Sequence, residues 1–325
     1  MLRFGLGLWC IVCALAALAG DIPSQWRDTL GRAEELRQRH RFSEAEKVLV
    51  DAIAGARAAN PADPALGVAL NNLGAVYHAQ GRYLEAENSY RRSLSALERA
   101  LGPDHRYLAR TVLPNFSELY LETNRDEKAE RMLDRALATL RRGEPDAEAL
   151  ASVQDDLAAV YVHQGRLEEA RPLLESALDL CLKSLGPEHP RTATALNNMA
   201  AWAFVSGRRE EAAGYARRAL AILEPQAAQH PGELAKVLAN LGLFSTDAAE
   251  AEAYLKRALA AAEPALGDGH PALVPVLRAY SGVLSRANRK REAKAVWARA
   301  ERIEARNSRE NALGLTVEAR SLVAR

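Results

Sequence analysis

Apolar positions along most of the chain return with a helical period, and the pattern itself returns about every 42 residues. In the clearest stretch, Leu66, Leu70, Leu73, Val76 and Tyr77 share one face. That spacing predicts an amphipathic helix over about 65–80. Tyr83, Ala86, Tyr90, Leu94 and Leu97 predict a second helix over 83–101. Gly81 separates the two, since glycine takes the left-handed cap conformation without a Cβ clash. Gly102-Pro103 ends the second helix, because proline cannot continue the hydrogen-bond ladder.

Two signatures recur in register. Asn71-Asn72-Leu73-Gly74 returns as Pro114-Asn115-Phe116-Ser117, Asp155-Asp156-Leu157-Ala158, Asn197-Asn198-Met199-Ala200, Ala239-Asn240-Leu241-Gly242 and Arg278-Ala279-Tyr280-Ser281. Gly81-Arg82-Tyr83-Leu84-Glu85-Ala86 returns at 165–170 and 207–212, with weaker copies at 124–129 and 288–293 and one upstream at His40–Ala45. Each unit is therefore read as helix A, a turn and helix B, with small residues such as Gly74, Ala86, Ala158 and Ala170 where the two must approach closely. The unit that carries Ala239-Asn240-Leu241-Gly242 lacks three residues and the turn glycine at Leu243-Phe244-Ser245-Thr246-Asp247, which predicts a compressed turn. In the unit that carries Asn197-Asn198-Met199-Ala200, Ala203 and Ala216 stand at positions of large residues, and Trp202 and Phe204 are expected to refill the space.

The combination of Leu73-Gly74, Tyr77, Gly81, Tyr83, Ala86 and Tyr90 resembles a tetratricopeptide (TPR) repeat. The long period and the loop Leu101-Gly102-Pro103-Asp104-His105, which returns at 185–190 and 266–271, resemble the kinesin-light-chain subclass. The resemblance implies an all-α, right-handed superhelical solenoid of about seven helix-turn-helix units. The expected organisation is a leader over 1–20, the solenoid over 21–305 with atypical first and last repeats, and a tail over 306–325. Arg32, where leucine is expected, marks the first unit as a cap. The charged helix carrying Trp297 and Ile303 reads as the polar end that stacked repeats need.

The first residues follow a different pattern. Arg3 precedes an unbroken apolar run, Phe4–Leu18, and Ala17-Leu18-Ala19 has the small-x-small form of a cleavage site. The run is shorter than the ~20 residues a spanning helix needs. The expected product is secreted or periplasmic, with membrane contact only through this segment if it stays uncleaved. Cys10 and Cys13 lie inside it, which leaves Cys181, in an apolar helical run, as a buried small hydrophobe.

Composition narrows the function. The 43 Lys and Arg balance 42 Asp and Glu, so no cation excess exists to displace counterions from a nucleic acid. No nucleophile elbow, zincin motif or phosphate loop is present, and the chain is read as a non-enzyme without cofactor or small-molecule substrate. His105, His189, His230 and His270 recur at the inter-repeat loop. They are read as loop caps and not metal ligands, because neighbouring helices stand ~8–10 Å apart while a metal holds its ligands at ~2 Å. His78 and His163, near the ends of their helices A, are possible partner contacts.

The site candidates are the helix-A asparagines Asn72, Asn115, Asn198 and Asn240, with Asn71 and Asn197 preceding two of them. An amide offers both a donor and an acceptor, which suits an extended peptide backbone. By the resemblance, helix A lines the concave groove and its asparagines contact bound peptide. The other reading has them hydrogen bonding between repeats and fixing the stacking. The chain is thus expected to be a scaffold that holds a protein or peptide partner. The alternatives are a structural spacer or assembly subunit, or a regulatory subunit of a separately encoded enzyme.

Overall fold

A computed structural model describes residues 24–322, apart from His40, Pro61 and Pro145. The segment read as a leader and its two cysteines lie outside the described residues, as does His40 of the upstream signature. Of side chains beyond Arg306 nothing is said. The described residues are helical, with no strand among them.

Fourteen α-helices follow one another in seven pairs. They are α1 (Ser24–Gln38) and α2 (Phe42–Ala59), α3 (Pro64–Ala79) and α4 (Tyr83–Leu101), α5 (Leu113–Glu122) and α6 (Asp126–Arg142), α7 (Ala147–His163) and α8 (Leu167–Ser184). The remaining pairs are α9 (Pro190–Val205) and α10 (Arg209–Leu223), α11 (Pro231–Phe244) and α12 (Ala248–Leu266), α13 (Val274–Arg286) and α14 (Lys290–Leu322). Odd-numbered helices are helices A and even-numbered ones helices B. The last helix runs past residue 305, where the repeats were expected to end. None of the helices with described side chains is long and apolar enough to cross a membrane.

The chain divides into two compact units, one ending at Asp146 and the other running from Ala147 to Arg306. In the first, α1 packs on α2, α3 on α4 and α5 on α6, and α2 also packs on α3 and α4 on α5. The second repeats the scheme, with α7 also touching α9, α9 touching α11, and α11 touching α13. The helices A of this unit therefore form a layer of their own.

The A–B approach explains the small residues. A Cβ on Gly74 would stand 2.6 Å from Tyr90 Cδ1, and one on Gly242 would stand 2.6 Å from Leu255 Cγ. Both distances are far inside van der Waals contact, so these helix pairs close only over a hydrogen atom. Trp202 is buried and donates from Nε1 to Leu167 O at 2.9 Å, and Phe204 packs on Phe244, both within the apolar cluster that holds Ala203 and Ala216.

The turns follow the signature. Gly81, Gly165 and Gly207 have φ of 74°, 78° and 80°, and Asn124 and Asn288 take the same conformation in the weaker copies. In each case the next residue, an arginine, donates its backbone N–H to a carbonyl five residues back. The pair α11–α12 closes differently: Asp247 accepts the Glu250 N–H on its side chain, a cap that needs no glycine. Helix α5 begins irregularly. A π-helical turn at Leu108–Val112 precedes it, next to Pro114, which has no N–H to give and no room for a carbonyl four residues back.

Candidate functional site

Two sets of side chains link successive repeats, and the first is a recurring triad. The arginine after four of the turns lays its guanidinium on an aromatic ring of its own helix A. Arg82 covers Tyr77, Arg125 Tyr120, Arg166 Tyr161 and Arg208 Trp202, at 4.0–4.6 Å from the ring centroid. Two of these, and Arg289 at the equivalent place, also reach a glutamate on the preceding helix B: Arg82 to Glu46, Arg125 to Glu87, and Arg289 to Glu252. The same glutamates accept hydrogen bonds from Tyr77, Tyr120 and Tyr280. Sequence reading recorded the Gly-Arg signature without assigning the arginine a task. The signal was its return in every unit that keeps the turn.

The second set is the asparagines, and the structure joins them across repeats. Asn115 Nδ2 donates to Asn71 Oδ1 at 3.3 Å, and Asn240 Nδ2 donates to Asn197 Oδ1 at 2.9 Å. Asn71 Nδ2 also leans on Asn72 Oδ1 at 3.4 Å. The donor stands at the second position of the signature, and the acceptor at the first position one repeat earlier. Asn71, Asn72, Asn197 and Asn240 are buried, whereas Asn115 and Asn198 are half-buried. The six candidates therefore divide. Asn71, Asn197 and Asn240 are buried in bonds between helices A, Asn72 is buried with its Nδ2 unmet, and Asn115 and Asn198 keep an accessible side.

In the third copy of this ladder the acceptor is a carboxylate. Asn198 Nδ2 faces Asp155 but closes no well-aligned hydrogen bond. Asp155, only 2% exposed, instead pairs with Arg191 of α9, Oδ2 to Nη2 at 2.6 Å. Burial pushes the Asp155 carboxyl above the usual carboxylate range, against the pull of Arg191. Its neighbour Asp156 makes no hydrogen bond or ion pair among the described residues, and burial lifts it further, to about 7. Arg191 was not singled out from the sequence. The signal available was the Asp-Asp that replaces Asn-Asn in this one register.

Three of the four loop histidines take the capping place expected of them. His105, His189 and His270 each accept, on Nδ1, the backbone N–H two residues on, so each caps the start of the following helix. His230 precedes α11 and makes no such cap. His78 lies 3.0 Å from a Glu122 carboxylate oxygen of the next helix A and edge-on to Tyr83 and Tyr90. Cys181 is buried, and that burial pushes its thiol up to about 11, as an inert packing residue requires.

Paired helices repeated at this spacing, with small residues at the A–B contact and a layer of helices A, define an α-helical repeat protein. Profiles of the tetratricopeptide repeat match residues 65–142, 149–224 and 234–272, together more than half of the chain. The chain belongs to the tetratricopeptide repeat family. A search of the curated proteins finds no match.

Among solved structures, the chain is similar to a putative kinesin light chain of Podosopora anserina with nearly identical TPR-like repeats. Identity is 24% and the TM-score 0.51, over 63% of this chain and 98% of that one. It is also similar to the apo form of RapI, at 13% identity and a TM-score of 0.63, over 88% and 99% of the two chains. A Rap protein complexed with Competence and Sporulation Factor matches at 15% identity and a TM-score of 0.52, over the same shares. Likeness at these identities carries the fold. The family itself is one of protein-interaction scaffolds, generally without catalysis of their own.

Proposed function

We propose that the chain binds an extended protein segment along the open face of its helices A. The observation that supports this reading is the uncommitted amide chemistry of the two half-buried asparagines. Asn115 spends its donor on Asn71, and its oxygen and the Asn198 amide close no aligned hydrogen bond among the described residues. Ser152, Asp156 and Ala159 of α7 and Thr194 of α9, all small or polar, are among the partly accessible residues of these two helices. Such a surface meets a peptide backbone by hydrogen bonding and makes few demands on its side chains.

A purely structural role is the second reading, favoured by the burial of Asn71, Asn72, Asn197 and Asn240 in the ladder. Two substitutions separate them. Peptides are first selected on the folded protein from a random displayed library. Asn198→Ala is expected to weaken the selected peptides by about three- to tenfold, one hydrogen bond's worth, with the melting temperature unchanged. Asn240→Ala strands the buried Asn197 oxygen and is expected to lose about 1–3 kcal/mol of stability. If no peptide is enriched, or if Asn198→Ala lowers stability and leaves affinity intact, the structural reading holds instead.

The same reading takes the scaffold to be secreted or periplasmic, on the strength of the apolar run Phe4–Leu18 and the Ala17-Leu18-Ala19 site. Mass spectrometry of exported protein is then expected to find a new N-terminus between residues 18 and 24. A membrane-bound product that keeps Met1 would count against it.

A further inference from the structure

The two aspartates of α7 replace the asparagines that α3 and α9 carry in the same register. The exchange removes two amide donors and adds two carboxylates, and the surroundings compensate only part of it. Arg191, 7% exposed, gives Nη2 to Asp155 Oδ2 and leaves Nη1 without a partner. Asp155 and Asn198 face each other, but Asp155 Oδ1 and Asn198 Nδ2 are buried without an aligned hydrogen bond. Asp156, beside them, is half-buried and forms no bond of its own. Buried polar groups are nearly always hydrogen-bonded, so several unmet ones gathered in one place call for a bound species.

The charges indicate what kind. Asp155 and Arg191 offset each other, and Asp156 remains as one negative charge on the open face of α7. The charged groups acting on it are Asp155 on its own helix, Arg191 on α9 and Lys236 on α11. Lys236 is exposed and makes no ion pair with it among the described residues, so its attraction is exerted from a distance. A single ammonium or guanidinium group would complete the charge balance.

We propose that Asp156, backed by the Asp155–Arg191 pair and Asn198, anchors a lysine or arginine side chain of the bound protein segment. This rests on the reading of the helix-A face as a peptide site and adds its specificity. The unpaired carboxylate opposes folding in the empty protein, and a bound cation removes that penalty. Affinity is thereby concentrated on segments that bring a positive charge to this point.

The test uses the same displayed library, selected on the wild-type chain and on Asp156→Asn. The variant restores the residue that α3, α5, α9 and α11 carry in this register, and circular dichroism checks that it folds. Wild-type selection is expected to enrich peptides with Lys or Arg at one fixed position. Asp156→Asn is expected to weaken those peptides at least tenfold and to lose the basic preference in its own selection. Titration calorimetry at pH 7, in phosphate and in Tris, supplies an independent readout. A cation that ionises a carboxyl half-protonated at that pH releases roughly half a proton per peptide, and Asp156→Asn abolishes the release. Peptides that bind, respond to Asn198→Ala and show no basic preference would overturn the anchor and leave the groove standing. Unchanged affinity in Asp156→Asn would do the same. A library that enriches nothing overturns both.

Discussion

Arg191→Met is expected to destabilise the unit formed by residues 147–306 by about 3–5 kcal/mol at pH 7.5, measured by urea unfolding followed by circular dichroism. The side-chain volume is largely kept, so the loss is electrostatic. Asp155 would remain buried at 2% exposure with its only ion-pair partner gone. The dependence on pH has a definite sign. Burial already holds the Asp155 carboxyl above its usual range, and removing the arginine raises it further. A carboxyl raised in the folded state binds more protons there than when unfolded, so stability increases as pH falls toward the unfolded value. The deficit should therefore shrink at pH 5. Adding Asp155→Asn should recover most of it at pH 7.5, since the stranded charge is then absent. A deficit below about 0.5 kcal/mol, the range of ordinary surface changes, would mean that the pair contributes nothing.

Leu157→Ala tests the packing and not the charge. Leu157 occupies the third position of the same signature, where Leu73, Phe116, Met199 and Leu241 stand in other repeats, and it is 2% exposed. Truncation leaves a cavity that rigid helices only partly close, for an expected loss of about 2–5 kcal/mol. In a stacked repeat protein each unit depends on its neighbours' interfaces, so the unfolding transition should broaden as well as move. Val50→Ala, on an exposed side chain, serves as the control and should change stability by no more than about 0.5 kcal/mol. Equal effects from the two would show that Leu157 supports no core.

One substitution acts on Asp155 of α7 through its partner on α9 and the other on Leu157 of α7 itself, and their contrast shows what was legible beforehand. The place of Leu157 followed from its period. Helix A of the best-defined repeat was expected over 65–80 and is found at Pro64–Ala79, and its helix B was expected over 83–101 and is found at Tyr83–Leu101. The turn glycines have positive φ, the loop histidines His105, His189 and His270 cap helices, and the turn at Ser245–Asp247 is short. Each of these rests on interactions within a few residues, where local sequence carries the signal.

The role of each asparagine was not legible in that way. Asn72 and Asn198 hold the same place in the repeat, yet one is buried and the other half-buried with no aligned bond. Asn240 meets Asn197 across 43 residues of chain, and Arg191 meets Asp155 across 36. Periodicity places each such residue on a helix face but does not say which residue of the next repeat stands opposite.

By itself, then, the sequence determined that the chain folds into paired amphipathic helices, where each pair turns and how closely its members approach. Those properties depend on backbone conformation and on side-chain size at a fixed period. Only the tertiary structure decided that most of the asparagines serve the stacking, that the turn arginines bind glutamates one repeat back, and that an unpaired aspartate stands among unmet polar groups on the face of α7. The physical reason is that desolvation and ion pairing depend on distances of a few ångströms between side chains. Those distances are set by how one helix pair settles on the next, which a repeat period constrains only to within a turn of helix.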